Sequence, residues 1–131
     1  MDRFRVVPIV NRNVESALGI PVVTSIPENR PARFIRTLNT GGFPRDAVTD
    51  VRRVTVEAWG TSKVEAEQDA DAVRKLLDSW SGTVVDGAKI SAVNHIQLPT
   101  DYPDPVTKTP RFVLTTELAI RGKYNRRSRL G

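Results

Sequence analysis

The stretch GTSKVEAEQDADAVRKLLDSW, Gly60–Trp80, decides the fold. Its carboxylates, Glu65, Glu67, Asp69, Asp71 and Asp78, have no histidine or cysteine among them. They are either an acid–base or metal site or the wet side of a helix. Ser62 followed by Glu65 has the form of a capping box, in which each side chain satisfies a backbone N–H at a helix start. Ala66, Ala70, Val73, Leu76, Leu77 and Trp80 then recur at three- and four-residue steps and form one apolar stripe. Acids fill the first half while Arg74 and Lys75 lie in the second, matching the helix dipole. The carboxylates scatter around the polar faces. The stretch therefore reads as an amphipathic helix lying on a sheet, with its acids solvated.

Strands flank this helix. Upstream, RRVTVEAW (Arg52–Trp59) alternates, with Val54, Val56 and Ala58 facing one way and Thr55, Glu57 and Trp59 the other. RFIRTLN (Arg33–Asn39) reads as its partner strand, with Arg33 and Ile35 on one face and Phe34 and Arg36 on the other. The glycines and proline of TGGFPRDAVTD (Thr40–Asp50) predict a long loop between them. Downstream, Asp86-Gly87 signals a tight hairpin. Its second strand is expected over Lys89–Leu98, with Ile90, Ala92, Ile96 and Leu98 on one face and His95 on the other. Four prolines make Pro99–Pro110 a surface excursion, and Arg111–Arg121 alternates as the best strand in the chain. Near the start, Pro8–Leu18 predicts a short helix closed by Gly19, and Val22–Ser25 a brief strand bounded by prolines. The expected fold is α+β: a mostly antiparallel sheet of about four to five strands, with the long helix and the short N-terminal helix on one face. Residues 1–122 form a single domain and residues 123–131 a basic extension.

Composition narrows the function classes. The 131 residues suit one domain, and no apolar run approaches the ~20 residues of a membrane span. MDRFRVVPIVNRN lacks the apolar core and cleavage site of a signal peptide, so a chain that is not exported is expected. There is no cysteine, which removes disulfides, thiolate metal sites and thiol nucleophiles, and only one histidine. The net charge of +5 is concentrated at the end: Arg121, Lys123, Arg126, Arg127 and Arg129 lie in a stretch without acids. Such a tail suits nucleic acid or an acidic protein surface.

No catalytic constellation assembles. A lone strand histidine such as His95 is more often a hydrogen-bonded surface group than a catalytic base. Asp101, Tyr102 and Asp104 could hold a divalent ion in their loop, but EF-hand spacing is absent. Gly41-Gly42 matches no phosphate loop and reads as turn residues, with Phe43 exposed at the loop tip. Arg30, Arg33 and Arg36 form either a basic patch or guards of a strand edge. No enzyme and no cofactor is expected.

Taken in order, these pieces resemble the tail terminator family of long-tailed (siphovirus) phages, in the version found in phages of actinobacteria. The resemblance lies in a short helix ending ALGIPV, in RPARFIRTLNTGG, and in VTD followed by VTVEAW. It continues through the Ala- and acid-rich helix, the DG hairpin, a Pro-Asp loop and RFVLTTELAIRG, and covers Pro8 to Gly122. It implies a homohexameric ring in the virion, assembled in the host cytoplasm, at the head-proximal end of the tail. Such a ring caps the tail tube, ends its polymerisation, docks the head connector and passes DNA through its lumen. A closed ring needs two different faces per subunit. Candidate contacts to subunit or tube are Gly41, Gly42, Phe43 and Arg45 in one loop, Asp101 and Tyr102 in the other, and Val113, Thr115 and Glu117 on the open sheet face. Lys123, Arg126, Arg127 and Arg129 are candidates for DNA or an acidic surface. The alternatives are a neck or head-closure protein of the same virion, and a nucleic-acid-binding module that uses the tail with Arg30, Arg33 and Arg36.

Overall fold

The computed structural model describes residues 5–26 and 28–122. The expected central helix is α2 (Lys63–Asp78), following a short N-terminal helix, α1 (Val6–Leu18). The strands are β1 (Val22–Val23), β2 (Phe34–Pro44), β3 (Thr49–Trp59), β4 (Thr83–Val85), β5 (Ala88–Asp101) and β6 (Arg111–Gly122). They form one six-stranded sheet in the order β1-β2-β3-β6-β5-β4. β1 runs parallel to β2, and the other neighbours are antiparallel. The fold is α+β as expected, but the sheet is mixed and has six strands rather than four to five.

Local chemistry explains the helices. Ser62 is the N-cap of α2, its Oγ accepting the Glu65 N–H at 3.1 Å. Glu65 reaches back to the N–H and hydroxyl of Thr61, at 2.8 and 3.0 Å, one residue beyond the position a strict capping box uses. The apolar stripe is real: Ala66, Ala70, Val73 and Leu77 are fully buried, and Trp80 nearly so. Each large side chain so removed from water contributes on the order of 1.5–3 kcal/mol. Helix α1 buries Val6, Ile9, Val10 and Val14 and ends where Gly19 adopts a left-handed conformation, φ 69°. Both helices share one core with Ile35, Val54, Val56, Leu114 and Leu118, so they cover the same face of the sheet.

Three strand expectations are corrected. The segment Thr40–Asp50 is not a long loop: β2 continues to Pro44, β3 begins at Thr49, and Gly41, Gly42 and Phe43 pair with Arg53, Arg52 and Val51. Only Arg45–Val48 turn, held by Asp46, whose Oδ1 accepts the N–H groups of Val48 and Thr49 at 2.9 and 2.8 Å. The brief strand is confined to Val22–Val23. In β5, a register shift between Ile90 and Ala92 inserts one residue and turns the strand over. Val93 and His95 thus join Ile90 on the helix side, while Ala92 is exposed; two further shifts, at His95/Gln97 and Gln97/Thr100, follow, and Ile96 and Leu98 are 50% and 58% exposed. The Asp86-Gly87 hairpin stands as read, with φ of 50° and 81° at the two turn residues.

A candidate assembly surface

The sheet face away from the helices is organised by arginine. Phe34 and Trp59 are directly opposite on β2 and β3, with ring centroids 5.3 Å apart in a stacked pair. Both are 1% exposed although they lie outside the main core. Their cover comes from the guanidinium groups of Arg30 and Arg111, which lie 4.9 and 5.2 Å from the Trp59 ring. Arg30 donates to Thr109 Oγ1 at 3.3 Å, drawing the 102–110 loop over this end of the sheet. Beside it Glu57, 8% exposed, accepts Arg36 through both oxygens at 2.8 and 3.1 Å and the Trp59 Nε1–H at 3.2 Å. Arg111 lies 3.7 Å away. Further along, Glu117 accepts Arg53 at 2.6 Å, and Thr55 and Thr115 share a hydrogen bond of 3.1 Å. The alternation of β3 places Trp59, Glu57 and Thr55 on this face; their partners follow from register, which sequence alone does not fix.

The sequence-predicted contact residues do not form one site. Val113, Thr115 and Glu117 lie half-buried on the open face of β6. Gly41, Gly42 and Phe43 lie on the outer strand β2, and Arg45 in its turn is 3.8 Å from Asp46. Asp101 and Tyr102 sit at the opposite end of the strands, where Asp101 pairs with Lys63 at 3.0 Å and Tyr102 is exposed. The two turn regions therefore project from opposite ends of the sheet. Lys123, Arg126, Arg127 and Arg129 lie outside the described residues.

The acids of α2 are more engaged than a solvated face requires. Asp69 is 5% exposed and receives a bidentate pair from Arg33 at 2.7 and 2.8 Å. Asp78 binds His95 Nε2 at 2.6 Å, and His95 Nδ1 lies 2.8 Å from Thr116 Oγ1. This hydroxyl–imidazole–carboxylate chain has the order of a catalytic triad. Thr116, however, has 0% exposure, so no substrate reaches its hydroxyl, and the chain acts as a pin between α2, β5 and β6. Asp104 caps its own loop by accepting the Val106 N–H at 2.8 Å, which lowers its carboxyl below the usual range. Among the described residues no three His, Asp or Glu side chains are grouped to hold a metal, and no helix is long and apolar enough to cross a membrane.

Charge is spread unevenly along the chain. Residues 5–59 carry eight arginines against five carboxylates, and residues 60–110 carry eight carboxylates against five basic side chains. Arg5 and Arg52 line a groove beside Leu38 and Asn39 of β2. Glu67, Asp71 and Arg74 line one beside Leu98 of β5, Arg74 pairing with Asp71 at 3.2 Å. No protein-family profile and no curated protein matches the chain. Its fold is nevertheless shared. A solved structure described as "Virion of native gene transfer agent (GTA) particle" contains a chain that superposes with a TM-score of 0.60 at 11% identity. The match covers 83% of this chain and 84% of that one.

Proposed function

We propose that this chain is a structural virion protein that forms a ring at the head-proximal end of a phage tail. There it caps the tail tube, ends tube polymerisation and offers a docking surface to the head connector, with DNA passing through the lumen. The observation that carries this reading is the fold shared over most of both chains with a virion component. The order of sequence phrases supports the terminator position in particular. The turns Arg45–Val48 and 102–110, at opposite ends of the strands, suit a subunit that touches one neighbour above and another below.

Native mass spectrometry, with and without the tail tube protein of the same virion, tests the proposal. The expected result is one discrete closed oligomer, a hexamer, formed alone or on tube ends. A chain that stays monomeric under both conditions overturns it. The nucleic-acid reading loses support from its own residues. Arg33 is held by Asp69, Arg36 by Glu57, and Arg30 lies over Trp59. It would require duplex affinity that falls steeply with salt and disappears on deleting residues 123–131.

A further inference from the structure

Among the described residues, the two long strands near the edges of the sheet are uncovered over most of their outer sides. β1 covers only Ile35 and Arg36 of β2, so Leu38–Pro44 has no outer neighbour among the described residues. β4 covers only Ala88–Ile90 of β5, leaving Ser91–Asp101 equally open. An uncovered edge presents a row of unpaired N–H and C=O groups, which folded proteins normally shield or pair. From these edges we infer that copies of the chain join head to tail, the β2 edge of one subunit pairing with the β5 edge of the next. The sheet then continues around the ring; this inference rests on the ring reading above.

Strand direction fits such a joint. β2, β3, β6 and β5 alternate in sense, so β2 and β5 run opposite to one another. Rotation about a ring axis leaves each strand's sense along that axis unchanged. The β5 of one subunit therefore meets the β2 of the next antiparallel, the more stable ladder. An odd number of long strands would force a parallel joint. Because the edges differ, the contact is heterologous and can close into a ring.

Charge is consistent with the same pairing. The β2 edge is flanked by Arg5 and by Arg52, which pairs with Asp50, and the β5 edge by Glu67 and by Asp71, which pairs with Arg74. The charge left over is basic at the first groove and acidic at the second, which favours the unlike pairing. The register shifts at Asn39/Gly41 in β2 and along β5 restrict the joint to a partner of matching twist.

The absence of cysteine allows a direct test. Variants carrying Thr40→Cys on β2 together with Asn94→Cys, Gln97→Cys or Thr100→Cys on β5 are oxidised under assembly conditions, alone and with tube ends. At least one pair is expected to give a covalent ladder ending in a single closed species, while Thr40→Cys alone gives none. A wild-type ring seen intact by native mass spectrometry, with no ladder from any pair, overturns the edge joint and leaves the ring reading standing. Dimers from Thr40→Cys alone that dominate over the ladder also overturn it, by showing like edges paired. A wild-type chain that remains monomeric throughout overturns both.

Discussion

At the scale of single residues, the open face depends on Glu57. Its carboxylate is buried with Arg36 and the Trp59 indole, and Arg111 stands close by. Glu57→Ala leaves the partly buried guanidinium groups of Arg36 and Arg111 without their counter-ion and is expected to cost about 3 kcal/mol, the lower end for a buried pair, by chemical denaturation. Gly42 is fixed for a different reason. A Cβ there would collide with the Val51 carbonyl, and its φ of 125° suits glycine alone. Gly42→Ala should therefore destabilise by at least about 2 kcal/mol, seen as a lower Tm. His95→Ala removes the pin from α2 and orphans the buried Thr116 hydroxyl, at a cost of about 1–3 kcal/mol in the same assay. None of these roles is visible in composition: Glu57 needs the register with β2, and His95 needs the inserted residue that turns β5 over.

Among the elements, α2 is legible because its cap, apolar stripe and charge gradient agree with one another. The β2–β3 hairpin is misread because Gly41, Gly42 and Pro44 are turn signals in isolation. An outer strand tolerates them, since its outward N–H has no sheet partner to lose. β5 is misread because alternation alone cannot reveal a bulge. The link between α1 and the β4–β5 turn escapes sequence altogether. Asp86 Oδ2 accepts Arg12 at 2.7 Å and Asn13 at 2.9 Å. The Arg12 hydrogen bond first, and the Asn13 one second, hold the Asp86 carboxyl below its ordinary value. A depressed folded value contributes stability that is present above the unfolded carboxylate pKa, about 4, and is lost as pH falls through the folded value. Asp86→Asn keeps the turn chemistry, since Asn-Gly suits the same hairpin. The variant should melt lower than wild type at pH 6, and its Tm should fall less between pH 6 and pH 3. Thermal melts at the two pH values check this.

At the scale of the molecule, the helices commit one face of the sheet to the core, and arginine pairs engage the acids of the other. Among the described residues, the uncovered edges and the turns at the strand ends are what the proposed assembly uses. Assembly at the edges, with opposite charges flanking them, should weaken as ionic strength rises, whereas the ion pairs of the open face are intramolecular and partly buried. Sedimentation at low and high salt should therefore show oligomer loss without unfolding, with circular dichroism unchanged. The uneven spread of charge along the chain has one more consequence. It gives each subunit an electric dipole with a component in the plane of the ring. Subunits joined head to tail set these vectors end to end around a circle. An incomplete arc keeps a resultant in its plane, but the closed figure has none by symmetry. Closure thus extinguishes the in-plane moment, and a completed ring stops orienting along an applied field in that plane.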